Sequence, residues 1–458
     1  MIKRTIQEIA AMINVVSEID AIADITIQGV SIDSRKIEKG NLYIPLKGSN
    51  VDGHKFVEDA IRKGAAASLW QKDVPNPPTD LPLIVVDDVQ QSLQELAKTY
   101  RKQLDIKVVG ITGSNGKTTT KDMVSTVLSQ KYKVQKTEGN YNNHLGLPLT
   151  ILSLDENTDI AVLEMGMSAR GEISLLTNIA RPDVAIITNI GEAHIQNLGS
   201  RRAIADAKLE IVEGLPDGGL LIYIGDEPLL QEKVPHITGI DTKTFGRSLS
   251  NDVYPVHITQ QETGSSFKTN LDPEVEYFIP VLGEYNVVNA LSAILVGKEF
   301  SLEPQVIASG LQALKLTAMR MEMIDGIRGS KVINDAYNAS PTSMKAAIHL
   351  IENFSGARRK ILVLGDMLEL GENEKQFHTE IGQAIDAEKI QFVFTYGELA
   401  RYIAEGARDS FPETRIFSFT NKDELIQRLQ ARIEENDLIL VKASRGMKLE
   451  DVVKEISL

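Results

Sequence analysis

Residues 113–119 read Gly-Ser-Asn-Gly-Lys-Thr-Thr. They follow an apolar run, Ile106 to Thr112, and precede a stretch where Met123, Val124, Val127 and Leu128 recur at the spacing of one helix face. Strand, glycine loop and helix, in that order, build a phosphate cradle. Glycines let backbone N–H groups approach phosphate oxygens, and the helix start adds its own donors and dipole. Gly113, Ser114, Asn115, Gly116, Lys117, Thr118 and Thr119 form this loop, with Lys117 reaching the terminal phosphates and the Thr118 hydroxyl on a magnesium ion. Ile111 stands where the longer G-x-x-x-x-G-K-[ST] pattern has a glycine, so the loop is the short G-x-x-G-K-T form. The expected ligand is a nucleoside triphosphate.

Outward from this loop, three segments differ in texture. Residues 1–103 mix short β-like runs (Asp24 to Ile32, Gly40 to Leu46, Leu83 to Val86) with helical stretches at 54–64 and 89–103. Over 104–314, strands at Ile106 to Thr112, Ile160 to Gly166 and Asp183 to Asn189 alternate with helices. A turn-rich β region follows at 218–282, and then a helical stretch from Asn286. Over 315–458, strand-like runs at 331–337, 360–366, 391–396, 414–419 and 437–443 alternate with helices at 341–354, 374–386, 398–407, 422–434 and 447–456. That alternation predicts a second doubly wound α/β unit. The length of 458 residues agrees with about three domains. The fold class is therefore α/β.

Composition narrows the function. The chain is 42% apolar and 24% charged, with no stretch apolar enough to span a membrane and no apparent signal peptide. Having no cysteine, it has no disulfides, thiolate catalysis or Cys-bound zinc. A net charge of −14 argues against broad nucleic-acid binding, so anionic ligands must be held by local donors and metal ions. ATP and Mg²⁺ point to the cytoplasm. No base-reading NKxD element of a GTP-binding switch is present, since Asn421-Lys422 is followed by Asp423-Glu424 and lies far from the loop.

Ligands of open parallel sheets bind at the carboxyl ends of strands. Glu164 ends the second strand of the central segment, and His194 follows the third. Taken alone, Glu164 reads as a strand-end or capping residue and His194 as structural; their shared position beside the loop suits a Mg²⁺ site. Lys208 falls on the apolar face of its helix, with Ile204, Ile211 and Val212. Two readings stay open for it. Its stem lies along the surface with the ammonium in water, or burial lowers its pKa and leaves an amine able to form a carbamate with CO₂.

Several blocks carry a family resemblance: GSNGKTT, TEGNYNNHLGLPLTIL, LEMGMSARGEI, NIGEAHIQNLGS with AKLEI, GEYNVVNALSA, INDAYNASPTSM, VLGDMLELG and VKASRG. In this order they resemble the Mur ligases, ATP-dependent amino-acid or peptide ligases of peptidoglycan precursor assembly. The resemblance covers essentially the whole chain. It implies a mixed α/β UDP-binding domain at 1–103, a central P-loop ATPase domain with an added β region at 104–314, and a C-terminal Rossmann-like domain at 315–458. DAYNASPTSM and GDMLELG are most similar to the members that join D-alanyl-D-alanine to a UDP-N-acetylmuramoyl-tripeptide.

By resemblance, Thr118, Glu164, His194 and a carbamylated Lys208 hold two Mg²⁺ ions, and Lys117, Glu164, His194 and Lys208 are the catalytic set. Asn286 and Asn289 contact adenine, while Arg320 and Asp335 hold the ribose and phosphates. SIDSRKIEKGNLYIPLKG and DGHKF imply that Ser34, Arg35, Lys47 and His54 bind the UDP substrate, with Asn142 and Asn143 facing its muramoyl-peptide. Asn338, Ser340, Ser444 and Arg445 are the dipeptide-side contacts, and a monomer is expected. Three positions depart from the family pattern: Tyr285 in place of His, Asn334 in place of Asp, and Ile224 in place of Asn. The implied chemistry passes through an acyl phosphate that the dipeptide amine attacks. The competing expectations are a family member adding the third amino acid and a folylpolyglutamate synthetase-like ligase.

Overall fold

The strand leading into the glycine loop, Lys107–Thr112, sits inside a six-stranded sheet whose pairings are all parallel. Val184–Ile187 flanks it on one side and Ile160–Glu164 on the other. Leu220–Ile224 and Asp241–Phe245 extend the first side, and Val134–Lys136 closes the second. The computed structural model describes residues 1–48 and 51–458. Because the loop strand lies between the two strands that deliver Glu164 and the His194 loop, all three groups emerge at one sheet edge, where such sheets bind ligands.

Both faces of this sheet are covered, which explains why its strands read as unbroken apolar runs. Side chains alternate with period two between separate cores. Val109, Ile111, Val162 and Ile186 belong to one that continues through Val287, Leu291 and Ile294 into Ile333, Leu362 and Leu440 of the C-terminal segment. Val108, Leu163 and Ile187 belong to the other, shared with Ile6, Ile27, Leu93 and Leu96 of the N-terminal segment. The central sheet is thus bonded by burial to both neighbours.

The N-terminal segment holds a parallel sheet of Val30–Ser31, Leu42–Tyr43, Ala67–Gln71 and Leu83–Val86, in that order. Helix Val89–Gln103 follows, its start capped by Asp88 accepting from the Gln91 N–H. The expected strand at 24–32 is broken at Gly29 (φ 75°). Thr26–Gln28 pairs with Lys3–Thr5, whereas Val30–Ser31 joins the parallel sheet. The stretch expected to be helical over 54–64 opens as a 3₁₀ turn, Gly53–Phe56, before helix Val57–Arg62.

The C-terminal sheet runs Glu322–Asp325, Lys331–Asp335, Asp437–Lys442, Arg359–Gly365, Phe392–Tyr396, Ile416–Phe419. All pairings are parallel except the first, an antiparallel edge that sequence alternation did not signal. Helix Pro341–Asn353 begins with a capping box at Ser340 and proline in its first turn. The β region over 218–282 contributes two strands to the central sheet and a separate three-stranded antiparallel sheet, Pro255–Gln261, Gly264–Thr269 and Tyr277–Ile279.

Candidate active site

The glycine loop needs its glycines for contact, not only for turning. Gly113 has φ 152°, and a Cβ there would fall 1.8 Å from Thr188 Oγ1 on the neighbouring strand end. Gly116 has φ 82°, and its Cβ would fall 2.9 Å from Asn289 Oδ1 on helix Glu284–Glu299. Asn189 holds the loop from the side, accepting from Ser114 N–H at 3.1 Å through its carbonyl and from Asn115 N–H at 2.8 Å through Oδ1. Lys117 folds back and donates to the Gly113 carbonyl at 2.7 Å. Burial lowers its pKa, Arg320 adds to that, and Glu164 opposes it. Helix Lys117–Leu128 starts here, presenting first-turn N–H groups that its own backbone leaves unpaired.

Glu164 is 2% exposed, and its carboxylate is fully engaged. Thr118 Oγ1 donates to Oε2 at 2.9 Å and Asn142 Nδ2 to Oε1 at 2.8 Å. Arg320 Nη2 donates to Thr118 Oγ1 at 3.0 Å, reaching across from the C-terminal segment. Its guanidinium carbon stands 4.0 Å from the centroid of the Tyr337 ring, while its Nε is buried without a hydrogen-bond partner. An alcohol and a carboxylate oxygen side by side are the hard donors that Mg²⁺ takes.

His194 holds a left-handed backbone (φ 63°) at the start of the short helix Ile195–Leu198. Lys208 is 2% exposed, so the reading with its ammonium in water is overturned: the helix face it shares with Ile204 and Ile211 packs inward. Burial pushes the pKa of this lysine far down and the nearby Lys117 ammonium pushes it further, with no carboxylate opposing them. Among the described residues, no group of three or more His, Cys, Asp or Glu side chains converges as a metal site by itself.

A cavity of about 440 Å³ joins the phosphate loop, Glu164 and His194, while Lys208 lies off its wall. Its wall includes Ser114 to Thr119, Asn142, Asn143, Glu164 and His194 from the central segment, the pair Asn286 and Asn289 beneath, and Arg320, Asp335 and Asn338 from the C-terminal one. Among the wall residues that the sequence reading did not single out as site groups are Tyr285, Tyr337 and Lys442. Tyr285 is one of the departures from the family pattern; burial raises its phenol well above the usual range, and Asp335 adds to that. Lys442 is 3% exposed, pairs with Asp335 and donates to the Asn338 carbonyl at 3.0 Å. Lys442 ends the apolar strand Asp437–Lys442, and nothing in the sequence there marks it as a site group.

The remaining expected residues lie off this wall. Ser340 caps its helix and donates to Asn115 Oδ1 at 3.2 Å, linking the C-terminal segment to the loop. Ser444 Oγ accepts from the Leu368 N–H at 2.9 Å, and Arg445 pairs with Glu450 at 2.9 Å. In the N-terminal segment Arg35 is exposed and bonded to Asp33, whose carboxyl it holds down at about 2, and Lys47 pairs with Asp73. His54 is buried with both ring nitrogens used: Nε2 accepts from the Gln71 N–H at 3.1 Å and Nδ1 lies 2.6 Å from Asp52 Oδ1. Ser34 is 9% exposed, and its carbonyl accepts from Lys63 at 3.1 Å.

Three family models match successive parts of the chain: "Mur ligase family, catalytic domain" over residues 26–101, "Mur ligase middle domain" over 111–297, and "Mur ligase, glutamate ligase domain" over 319–445. The UDP-N-acetylmuramoyl-tripeptide–D-alanyl-D-alanine ligase of Bacillus subtilis is 53% identical over 456 residues, covering 100% of this chain and 99% of that protein. The crystal structure of MurF from Acinetobacter baumannii superimposes with a TM-score of 0.90 at 29% identity, covering 99% of both chains. MurF ligase from Thermotoga maritima in complex with ADP gives 0.82 at 28% identity, covering 93% of this chain and 96% of that one.

Proposed function

The chain belongs to the Mur ligase family, and we propose that it joins D-alanyl-D-alanine to a UDP-N-acetylmuramoyl-tripeptide at the cost of ATP. The observation that carries this reading is the shared cavity, where the phosphate loop and Glu164 of one segment meet Arg320, Asp335 and Lys442 of the next. The alternatives raised by the sequence are not favoured: the Mur ligase model for the N-terminal segment matches residues 26–101, and the full-length Bacillus subtilis relative carries the dipeptide-adding activity in its name.

A carboxylate is a poor electrophile, so the tripeptide carboxylate first attacks the γ-phosphate of ATP. ADP leaves and an acyl phosphate forms. The dipeptide amine then attacks that carbonyl, loses a proton, and expels phosphate. Such transfers depend on positioning and on neutralising charge. In this chain Lys117, the loop N–H groups and Arg320 supply the positive side of that balance at the phosphates. Asn286 and Asn289, on the cavity wall, would contact adenine, and Asp335, held by Lys442, would accept hydrogen bonds from the ribose side. Acyl phosphates hydrolyse readily, so the contacts Ser340–Asn115 and Thr342–Glu192 (2.7 Å), which bridge the two segments, help exclude water.

Thr118, Glu164 and His194 suit Mg²⁺, with nucleotide oxygens completing a donor set that the protein leaves short. Bound there, the metal would neutralise charge on the phosphates. Lys208, buried and without a counter-ion, would react with CO₂: its nitrogen bonds to carbon, a proton leaves, and the carbamate becomes an anion able to join that donor set. Ser34, Arg35, Lys47 and His54 serve the UDP end, Asn142 and Asn143 the muramoyl-peptide, and Asn338, Ser340, Ser444 and Arg445 the dipeptide. The functional domains in this reading are 1–103, 104–314 and 315–458. A monomer is expected, as the family resemblance implies. Among the described residues no helix is long and apolar enough to cross a membrane, and the substrates favour the cytoplasm.

The test is to incubate the protein with ATP, D-alanyl-D-alanine and UDP-muramoyl-tripeptides carrying L-lysine or diaminopimelate, following phosphate release and product mass. One phosphate per pentapeptide formed is expected. Phosphate release with no peptide product from either tripeptide would overturn the reading.

A further inference from the structure

Between the central and C-terminal sheets the chain passes through Thr317-Ala318-Met319-Arg320-Met321. Met319 and Met321 hold left-handed backbone, at φ 62° and 52°. Long side chains rarely adopt that conformation unless the surroundings impose it. Arg320 stands between them and is aimed back at Thr118.

What imposes the conformation is visible on both sides. Downstream, the Met321 N–H donates to Asp335 Oδ1 at 3.2 Å and the Met319 N–H to Glu322 Oε2 at 3.0 Å. Upstream, one carboxylate oxygen, Asp122 Oδ2, accepts twice from Thr317: from its N–H at 2.9 Å and from its hydroxyl at 2.8 Å. Asp122 is wholly buried in the second turn of the phosphate-loop helix. Its other oxygen takes Lys136 at 2.7 Å, and Lys121, also wholly buried, stands 3.5 Å away. Burial pushes this carboxyl's pKa up, but the two lysines and the Thr317 N–H outweigh it and keep the group ionised.

The geometry closes a loop. Asp122 and Thr118 lie four residues apart on one helix, hence on the same face. The linker leaves that face through Thr317 and returns to it three residues later through Arg320. Neutralising Lys121 and Lys136 needs only the carboxylate charge; it does not need the double donation from Thr317. We propose that Asp122 is a positioning residue for Arg320: by gripping Thr317 it sets the register of the linker, so that the guanidinium meets Thr118 and the phosphate side of the cavity. Motion of the C-terminal segment is thereby coupled to the phosphate-loop helix, not only to the loop. The inference rests on Arg320 acting at the nucleotide, as proposed above.

The test is a double-mutant cycle in the full chain, read as the affinity for a fluorescent ATP analogue and as kcat and KM for ATP. Urea midpoints are measured alongside, and Asp122→Asn serves as a second probe of the same grip. Thr317→Val keeps the backbone donor, removes the hydroxyl and changes little volume. It should weaken ATP-analogue binding and kcat/KM for ATP by about fivefold or more, leave KM for the UDP-tripeptide unchanged, and add less than about twofold once Arg320→Ala is present. Thr317→Ser should restore the wild-type values. An equal loss in both backgrounds, or a lowered urea midpoint with unchanged ATP parameters, would make the contact structural only and overturn the proposal. If Arg320→Ala itself leaves ATP-analogue binding unchanged, the assignment of Arg320 and the tether both fall; if it weakens binding while Thr317→Val does not, the tether alone falls.

Discussion

His194 Nδ1 lies 2.6 Å from Glu369 Oε2, and both residues hold left-handed backbone at φ 63°. The two belong to different sheet systems, and the contact is a close polar approach in which the ring nitrogen is not aligned as a hydrogen bond. A second link, from the Gln196 N–H to the Glu369 carbonyl at 3.3 Å, fixes the two loops together. Burial lowers the imidazole pKa, Glu369 raises it, and Lys117 and Lys208 lower it again; the net direction is down. His194 is therefore neutral at pH 7, the form in which imidazole binds metal.

Carboxylates beside metal-binding histidines orient the ring, and losing one typically weakens metal affinity 10- to 100-fold. Because Glu369 is exposed, the low end applies. Glu369→Ala should weaken Mn²⁺ binding by about tenfold in an EPR titration with a non-hydrolysable ATP analogue present. Unchanged Mn²⁺ affinity would leave the pair as a docking contact only.

Lys117→Ala should cost roughly 10²–10³ in kcat, the scale for removing one preorganised charge donor at a reacting phosphate. Calorimetric binding of the UDP-tripeptide should survive, since the hydrogen bonds of Lys117 go to its own loop. Full ligation by this variant would remove the lysine from the mechanism.

Gly113→Ala puts a methyl group 1.8 Å from Thr188 Oγ1. It should cost about 1–3 kcal/mol in urea unfolding, the range for overpacking. Adding Thr188→Ala should recover part of that loss. No recovery would mean that the backbone conformation, and not the clash, sets the requirement for glycine.

Lys208→Ala should be nearly inactive and partly rescued by short carboxylic acids, which replace a carbamate oxygen by oxygen. Wild-type protein in CO₂-free buffer should lose activity reversibly, and ¹³C-bicarbonate should give a carbamate NMR signal absent from the variant. An active wild-type enzyme without that signal would exclude the modification.

His378 is completely buried, accepting from the Met367 N–H at 2.9 Å through Nε2, with Nδ1 2.6 Å from the Glu374 carbonyl. Burial lowers its pKa. The unfolded chain binds the extra proton first, at about pH 6.5, so stability is full above that pH and declines as pH falls towards the folded value. His378→Leu should therefore cost about 1–3 kcal/mol at pH 7.5, from the unpaired Met367 N–H, and clearly less at pH 5.5. Equal costs at both pH values in urea titrations would contradict a neutral His378 in the fold.

Much of the architecture was readable because parallel sheets write themselves locally. Leu83–Val86 and Val89–Gln103 fall where apolar runs and periodicity put them, and the five C-terminal strand runs all contain strands. The antiparallel edge Glu322–Asp325 did not announce itself: its exposure pattern is half polar, and its pairing depends on a neighbour rather than on its own residues. Lys442 was hidden for a related reason. A lysine at a strand end is ordinary until the fold sets it against Asp335.

The order of residues along the chain sufficed for the phosphate loop, for the alternation of strands and helices, and for the family, because each depends on spacing within some ten to thirty residues. Long-range chemistry needed the folded chain. Lys208 could have stood in water or been buried, and only the inward packing of the face it shares with Ile204 and Ile211 removed its hydration. Arg320 and Thr118 are 202 positions apart, as are no two groups whose meeting local periodicity can foresee. Contacts of that kind arise from how the sheets dock through shared cores, a free-energy balance over the whole molecule and not a property of any segment.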